Sequence, residues 1–304
     1  MNSTIIRNFR HEDMPLLSEF YQKVAKDKNV VFWWVGPEQN WENVFCAFEN
    51  DLMVAKGQVE VIHVVQDGQP IKNSHKIFIN IKTISDRETD YELLDRLFEK
   101  VYQRALKFKE MLSANYKTKL CVGNFSTETN NNLYFSHKGF QPLNTLYTMN
   151  RDLTKPITEI ALHHLELQWE FWQMDSLEDE KEYLKEEGEI WPDATLGNYR
   201  LQEYKSNPNW TAIPVRYYGE LIACAMAWQE AGIGVIEDVF VKDQWRNQGI
   251  AKFLLTTGLK YLKDLGLFEA KLMVDTENEK ALNLYQSVGF EVTEEEKRFY
   301  IELI

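Results

Sequence analysis

The chain of 304 residues predicts an α/β fold of the layered α+β type, with two similar domains that each hold a central mixed, twisted sheet flanked by helices. Three observations predict it. Short apolar runs of strand length alternate with amphipathic runs of helix length along the whole chain. The order strand, polar stretch, short helix, Gly-Phe, strand occurs twice, about half a chain apart. The length itself suits two domains.

The elements follow in order. Residues 4–9 read as a strand and 13–25 as a helix. Residues 59–65 alternate as a strand, with Asp67-Gly68 as the turn after it, and 76–84 alternate again. Residues 91–111 form a long amphipathic helix. The first copy of the repeat begins at the apolar run Lys119-Leu120-Cys121-Val122. It passes through Ser136-His137-Lys138-Gly139-Phe140 and closes on the β-prone segment Thr145-Leu146-Tyr147-Thr148-Met149. Pro156 and polar residues break the pattern at 151–158, so the boundary is placed between a first domain, 1–153, and a second, 154–304. The acidic, helix-prone stretch 176–188 reads as a solvated face. Residues 210–216 and 221–229 flank Tyr218-Gly219-Glu220 as a hairpin. Residues 235–241 form a strand, and 249–265 a helix with Ile250, Leu254, Leu255, Leu259, Leu262 and Leu265 on one stripe. A strand at 269–274 and a helix at 279–287 lead to Gln286-Ser287-Val288-Gly289-Phe290. The second copy then closes on Arg298-Phe299-Tyr300-Ile301.

Composition narrows the function. A net charge of −13 argues against a nucleic-acid binder, which carries a basic face. The cysteines Cys46, Cys121 and Cys224 are scattered in apolar contexts, as reduced buried thiols are, and suit neither a disulfide framework nor a zinc site. No metal-spaced cluster is present, and His163 and His164 read as surface residues. The first residues lack the apolar core of a signal peptide, and no apolar run reaches membrane-spanning length. A cytoplasmic protein with no membrane partner is the expectation.

The segment 235–251 carries the most chemistry. A strand ends in Val239-Phe240-Val241, a loop without proline follows, and Gly249 stands where a helix begins. Free N–H groups at a helix start, helped by the helix dipole, make an anion site. Gln248, Gly249, Ile250 and Ala251 offer amides, Gly249 permits close approach, and Arg246 adds a charged fork. Ordinary capping of a helix start is the plain alternative.

Arg246, Gly249 and Ala251 match the pattern Arg/Gln-x-x-Gly-x-Gly/Ala, and Asn278, Ala281, Leu284, Tyr285, Gly289 and Phe290 follow the pattern Asn-x-x-Ala-x-x-x-Tyr-x-x-x-Gly-Phe. Together these resemble the GNAT superfamily of acyl-CoA-dependent N-acetyltransferases, in its tandem two-domain form. The match is strong over 210–304 and loose in the first half. The resemblance implies acetyl-CoA as cosubstrate, its pyrophosphate on the loop from Arg246 through Asn247 and Gln248 to Ala251, and no metal. It implies that a strand splay next to Val241 admits the pantetheine arm. The N–H groups of Val239, Phe240 and Val241 would polarise the thioester carbonyl. Tyr285 would be the general acid for the departing thiolate, against the alternative of a core tyrosine. Asn278 would hold the pantetheine arm or the tyrosine, or simply cap the helix. Glu237 and Asp238 are the candidate bases. Adjacent strand residues point to opposite faces, so at most one can face the acceptor cleft, and the resemblance favours Glu237. The implied activity is direct acetyl transfer to a primary amine of a small molecule or peptide. A non-catalytic acyl-CoA-binding regulatory module and an antibiotic acetyltransferase of the aminoglycoside type are the alternatives. Trp169, Trp172, Trp191 and Trp210 serve the core or line the acceptor site. Monomer and homodimer both remain open.

The same positions in the first copy look dismantled. Ser85-Asp86-Arg87-Glu88-Thr89-Asp90 has no glycine and three acids, so it would repel a pyrophosphate. An ungapped overlay sets Phe135 at the Tyr285 position and Glu128 at the Asn278 position, while a shift by one residue would align Tyr134. The first domain is therefore expected to be a degenerate, non-catalytic copy.

Overall fold

Thirteen strands and seven main helices appear in the computed structural model, which describes residues 4–65, 68–162, 166–192 and 195–304. Asp67, His163 and His164 lie outside the described residues. In chain order the elements are β1 (Ile5–Asn8), α1 (Met14–Val24), β2 (Val44–Glu49), β3 (Leu52–His63), β4 (Ser74–Thr83), α2 (Tyr91–Glu110), β5 (Lys117–Phe125), α3 (Thr129–His137) and β6 (Gln141–Asp152). Then follow β7 (Leu167–Trp169), α4 (Leu177–Ile190), α5 (Gly197–Lys205), β8 (Thr211–Ala212), β9 (Val215–Tyr217), β10 (Glu220–Glu230), β11 (Ile233–Val241), α6 (Ile250–Asp264), β12 (Glu269–Asp275), α7 (Glu279–Ser287) and β13 (Glu291–Glu302). The mixed α/β class predicted from the sequence is the one observed.

The chain divides into two units, Met1–Thr145 with Glu295–Ile304, and Leu146–Glu294. These differ from the contiguous spans 1–153 and 154–304, and strand pairing is the reason. Residues 146–152 of β6 pair antiparallel with β12, from Leu146 opposite Asp275 to Asp152 opposite Glu269. Residues 296–302 of β13 pair antiparallel with β5. The closing strand of each sequence repeat thus completes the sheet of the other unit, which a linear reading of the repeat does not foresee.

In the first unit the sheet runs β1-β2-β3-β4-β5-β13 and is antiparallel except at β4–β5. Leu94, Leu97 and Val101 of α2 are buried against Val59, Ile77, Ile79 and Leu120. In the second unit the sheet runs β6-β12-β11-β10-β9-β7, with β8 also on β10 and with β11–β12 parallel. Leu255, Leu259 and Leu262 of α6 pack on Ile236, Ala227 and Ala270. Leu265 follows the last helical residue, Asp264, and is 37% exposed, so the buried stripe ends at Leu262. The hairpin β9–β10 turns on Tyr218 (φ 47°) and Gly219 (φ 88°), the two positive values that a two-residue turn between twisted strands requires.

The stretch 176–188 is solvated on one side only, where Leu177, Glu178, Lys181 and Lys185 are exposed. It forms most of α4, which starts with a capping box between Ser176 and Asp179 and buries Glu180, Tyr183, Glu186 and Glu187. These three acids are buried because partners meet them: Lys205 on Glu180, Lys242 and Lys185 on Glu186, and the Leu196 N–H on Glu187. Among the described residues no helix is long and apolar enough to cross a membrane.

Candidate active site

Strand β11 builds the site. It pairs with β10 along its length but with β12 only at Gly234–Ala270 and Val235–Lys271. Beyond those pairs β12 continues along β6. Among the described residues, no strand pairs with β11 from Ile236 to Val241 on the side away from β10. The expected splay is present: among the described residues, Val239 and Val241 have no strand partner on this side, and Val241 O there accepts from Arg246 Nε.

A bulge in β11 sets the carboxylates. Cys224 faces Phe240 and Met226 faces Glu237, so a single residue of β10, Ala225, stands opposite Asp238 and Val239 together. Asp238 takes up the extra residue with φ 55°, a left-handed conformation that Asp tolerates better than most residues. The alternation therefore breaks. Val235 and Phe240 pack in one cluster with Tyr183, while Ile236 and Val239 pack in another with Tyr285. Asp238 accepts a hydrogen bond from the Tyr183 hydroxyl and so shares the side of Val235 and Phe240. Glu237, two residues after Val235, keeps that side as well. The expectation that at most one of Glu237 and Asp238 could face the cleft is thus corrected by the bulge.

Electrostatics bind these groups into one site. Burial first, and the Asp238 charge next, push the Glu237 carboxyl up to about 7, against the pull of Arg200 and Lys271. Burial raises Asp238 to about 6, and the Tyr183 hydrogen bond opposes it. Burial, with Glu237 and Asp238 adding to it, raises the Tyr285 hydroxyl to about 12. Glu187 is raised to about 7 by burial and then by Asp238, opposed by the Leu196 N–H. The Arg200 guanidinium stands near Glu237, its Nε donating to the Tyr204 hydroxyl at 3.3 Å. Tyr183, Glu187, Arg200 and Tyr204 escaped the sequence reading. Their signal is the four-residue spacing of Tyr183 with Glu187 and of Arg200 with Tyr204, which sets each pair on one helix face, but a dense acidic run hides the first pair.

Helix α7 fixes Tyr285 at both ends. Asn278 caps its start, its Oδ1 accepting from Ala281 N at 3.1 Å. At its end Gly289 N donates to Gln286 O (2.9 Å) and Phe290 N to Tyr285 O (3.1 Å), the double bond of a Schellman cap. Gly289 has φ 91°, and a Cβ there would lie 2.7 Å from Arg151 Nε, so both backbone and space require glycine. The repeated Gly-Phe is this cap.

The loop after β11 holds two left-handed residues, Asn247 (φ 61°) and Gly249 (φ 81°), before α6 begins at Ile250. The start of α6 has no capping side chain and no acid in its first turn. Among the described residues, its first N–H groups, at Ile250 and Ala251, meet no side-chain acceptor. Gln248 Nε2 donates to Gln244 O at 3.2 Å. Arg246 donates from Nε to Val241 O (3.1 Å) and pairs with the exposed Asp243 (2.8 Å). Such an exposed ion pair is weak, about 0–1 kcal/mol, so an anion can replace Asp243 cheaply. Among the tryptophans, Trp191 meets Phe240 edge-on at 6.0 Å, Trp172 and Trp210 join the cluster around Tyr183, and Trp169 stands partly exposed against Phe253. No group of three or more metal-ligating side chains occurs among the described residues.

The first unit fills the corresponding places with its own groups. Its parallel pair β4–β5 holds six registered pairs, from Ser74–Lys117 to Ile79–Val122. Past them, Lys82 Nζ donates to Asn124 Oδ1 (2.8 Å) and pairs with buried Glu128, while Asn131 Nδ2 donates to Ile81 O (3.0 Å). Residues 31–34 lie across the sheet, with Val31 O accepting from Asn80 Nδ2 (2.8 Å) and Trp33 O from Lys56 Nζ (2.7 Å). The start of α2 is capped by the Asp90 carboxylate, which accepts from Leu93 N, and Arg87 is tied to Glu49 and Asp90. Helix α3 ends in the same cap as α7, Gly139 N to Ser136 O and Phe140 N to Phe135 O. That equivalence selects the ungapped overlay: Phe135 stands where Tyr285 does and Glu128 where Asn278 does. Tyr134 instead donates to Asp95 at 2.8 Å.

Comparison with known proteins gives three findings. Residues 165–290 match the Acetyltransferase (GNAT) family. A mycothiol acetyltransferase of Nocardiopsis dassonvillei is 40% identical over 58 residues, a segment that covers 19% of this chain and 18% of that protein. The chain thus matches about a fifth of the length of these curated relatives. Among solved structures, a GCN5-related N-acetyltransferase from Sphaerobacter thermophilus superposes with TM-score 0.78 at 17% identity, over 99% of this chain and 96% of that one. A tandem GNAT protein from the clavulanic acid biosynthesis pathway superposes with TM-score 0.71 at 9% identity, over 99% of both chains.

Proposed function

The C-terminal half of the chain is a domain of the GNAT acetyltransferase family on a tandem GNAT fold, and from that premise we propose that the second unit transfers acetyl from acetyl-CoA to a primary amine while the first unit performs no chemistry. One observation carries this reading: the unpaired edge of β11 lies beside two carboxylates of raised pKa and a tyrosine held by both ends of its helix.

Each residue then has a task. The uncapped start of α6, with the left-handed Gly249 before it, would hold the pyrophosphate, and Arg246 would leave Asp243 for a phosphate oxygen. The free edge at Val239, Phe240 and Val241 would hold the pantetheine arm and offer N–H groups to the carbonyl oxygen. Asn278 would steady that arm from the start of α7. Acetyl-CoA supplies the activated acyl group. Glu237, near neutral pKa, accepts the proton of the attacking amine, and the Asp238 charge holds that pKa up. Tyr285 stays protonated throughout the physiological range and delivers its proton to the sulfur. The two steps help one another. When Glu237 takes a proton it loses one of the charges that raise Tyr285, and the tyrosine becomes the stronger acid.

The test is thiol release from acetyl-CoA with a panel of primary amines, for the wild type and Glu237→Gln. Release that depends on both amine and Glu237 supports the proposal. Binding of acetyl-CoA with no release from any amine would make the chain an acyl-CoA-binding regulatory module instead.

A further inference from the structure

Two adjacent acids repel one another, and which of them keeps the proton depends on the donors each one meets. The donors of Glu237 and Asp238 differ. Asp238 accepts a hydrogen bond from the Tyr183 hydroxyl. Among the described residues no side-chain hydrogen bond reaches Glu237, and a backbone one comes from Asp238.

The Tyr183 bond is built from both sides. Tyr183 is fully buried on α4, its ring 6.0 Å from that of Phe240, so its hydroxyl has no water to turn to. Asp238 meets it because the bulge in β11 gives residue 238 a φ of 55° and sets its carboxylate on the side of α4. Burial first, and the Asp238 charge next, hold the Tyr183 hydroxyl well above the usual phenol range, so it stays a donor at every working pH. A fixed donor favours the charged form of its acceptor, and here it opposes the burial that would protonate Asp238.

The other groups around the pair do not supply this bias. Arg200 from α5 and Lys271 from β12 pull Glu237 toward its charged form, against the sorting that the reaction needs. Tyr204 on α5 and Tyr285 on α7 are each raised to about 12, by burial first, and stay neutral. Cys224 on β10 is pushed up by burial and then by Asp238, and stays a thiol. Glu187, one turn after Tyr183 on α4, is raised to about 7 by burial and then by Asp238.

We infer that Tyr183 is a positioning residue whose hydroxyl holds Asp238 as the charged member of the pair and leaves Glu237 as the member that exchanges the proton. This rests on the acetyl-transfer reading of the site. Without the hydroxyl, Asp238 keeps its proton to higher pH and repels Glu237 less, and Glu237 ionises at lower pH.

The experiment uses the full chain with saturating acetyl-CoA and one primary amine, and reads kcat/KM by thiol release from pH 6 to pH 8. Each protein is expressed as a ratio to the same protein carrying Glu237→Gln, so that ionisation of the amine cancels. In the wild type the ratio at pH 6 should be about one-tenth of that at pH 8, as a group of pKa about 7 requires. Tyr183→Phe keeps the ring and should raise that fraction about threefold or more, because the rise moves to lower pH. Asp238→Asn should move it the same way, and adding Tyr183→Phe to Asp238→Asn should move it no further, since the hydroxyl acts through the carboxylate. Tyr183→3-fluorotyrosine, a stronger donor of nearly the same shape, should move the rise to higher pH, and it decides alone if Tyr183→Phe does not fold. An unmoved rise in the Tyr183 variants, or a shift that adds in full to that of Asp238→Asn, overturns the inference and leaves the acetyl-transfer reading standing. No release that depends on Glu237 in the wild type overturns both.

Discussion

If Glu237 removes the amine proton, the advantage of the wild type over Glu237→Gln must grow with pH in a defined window. The Glu237 carboxyl is pushed to about 7, by burial first and by Asp238 second. A group of that pKa is about one-tenth ionised at pH 6, about half at pH 7 and about nine-tenths at pH 8. Gln has nearly the same shape and cannot accept the proton. Ionisation of the free amine affects both proteins alike and cancels in the ratio of their kcat/KM values. That ratio should therefore rise about tenfold between pH 6 and pH 8 and then level off, at a height of about 10²–10⁴, the usual worth of a general base. A carboxylate of ordinary pKa would give a flat ratio over the same window. Asp238→Asn should move the rise to lower pH, because removing a like charge lowers the Glu237 pKa, and Asn tolerates the left-handed backbone at 238. The assay is thiol release at constant ionic strength, with saturating acetyl-CoA and one amine. A ratio independent of pH from 6 to 8, in a variant that still binds CoA, refutes Glu237 as the base.

Three other outcomes are expected. Tyr285→Phe should lower kcat about tenfold or more with CoA affinity nearly unchanged, since the ring still packs on Phe290 and only the proton donor is gone; equal turnover in titrations of both proteins removes the tyrosine from the chemistry. Gly249→Ala meets no atom within 4 Å but places a side chain at φ 81°, so it should cost about 1–2 kcal/mol in thermal melts and raise the KM for acetyl-CoA several-fold; a KM equal to the wild type's would detach the loop from the pyrophosphate. Glu237 also has a folded-state pKa above its unfolded value, so its favourable share of stability is complete below about pH 4.5 and lost as pH rises through about 7. Denaturant melts should then show the wild type losing on the order of 3 kcal/mol relative to Glu237→Gln between pH 5 and pH 8, and a constant difference would place the carboxyl in open solvent.

What the sequence made legible was local. The helix 279–287 is found at its predicted bounds, because Asn278 and Gly289-Phe290 mark its ends by side-chain capping and backbone chirality, which adjacent residues decide. The loop from Arg246 to Ala251 was legible for the same reason. What could not be read depends on partners far along the chain. The burial of Glu180, Glu186 and Glu187 rests on Lys205, Lys242 and Leu196, and without them an acidic run is indistinguishable from a wet surface. The bulge at Asp238 is visible only in the register against β10, so strict alternation gave the wrong facing for one carboxylate. The exchange of closing strands between the units is likewise a matter of pairing, since Thr145 to Met149 and Arg298 to Ile301 look alike as isolated β-prone segments.

If the second unit is catalytic and the first is not, as proposed, few changes separate the two copies. They share the Schellman-capped helix, the parallel strand pair before it and the same spacing within the repeat. In the second unit the parallel ladder stops after two pairs, and among the described residues β11 has no further strand partner on that side. In the first the ladder runs to six pairs, and Lys82, Asn124, Glu128 and Asn131 join up across what remains. A ligand entering there would have to break a buried ion pair, at a cost of about 3–5 kcal/mol, before making any contact of its own. Asp90 at the start of α2 adds a carboxylate where a phosphate would need free N–H groups. Restoring a tyrosine at Phe135 alone would therefore revive nothing. The tyrosine would face a slot already filled, and the chemistry assigned to the second unit depends on the unfilled slot as much as on Tyr285.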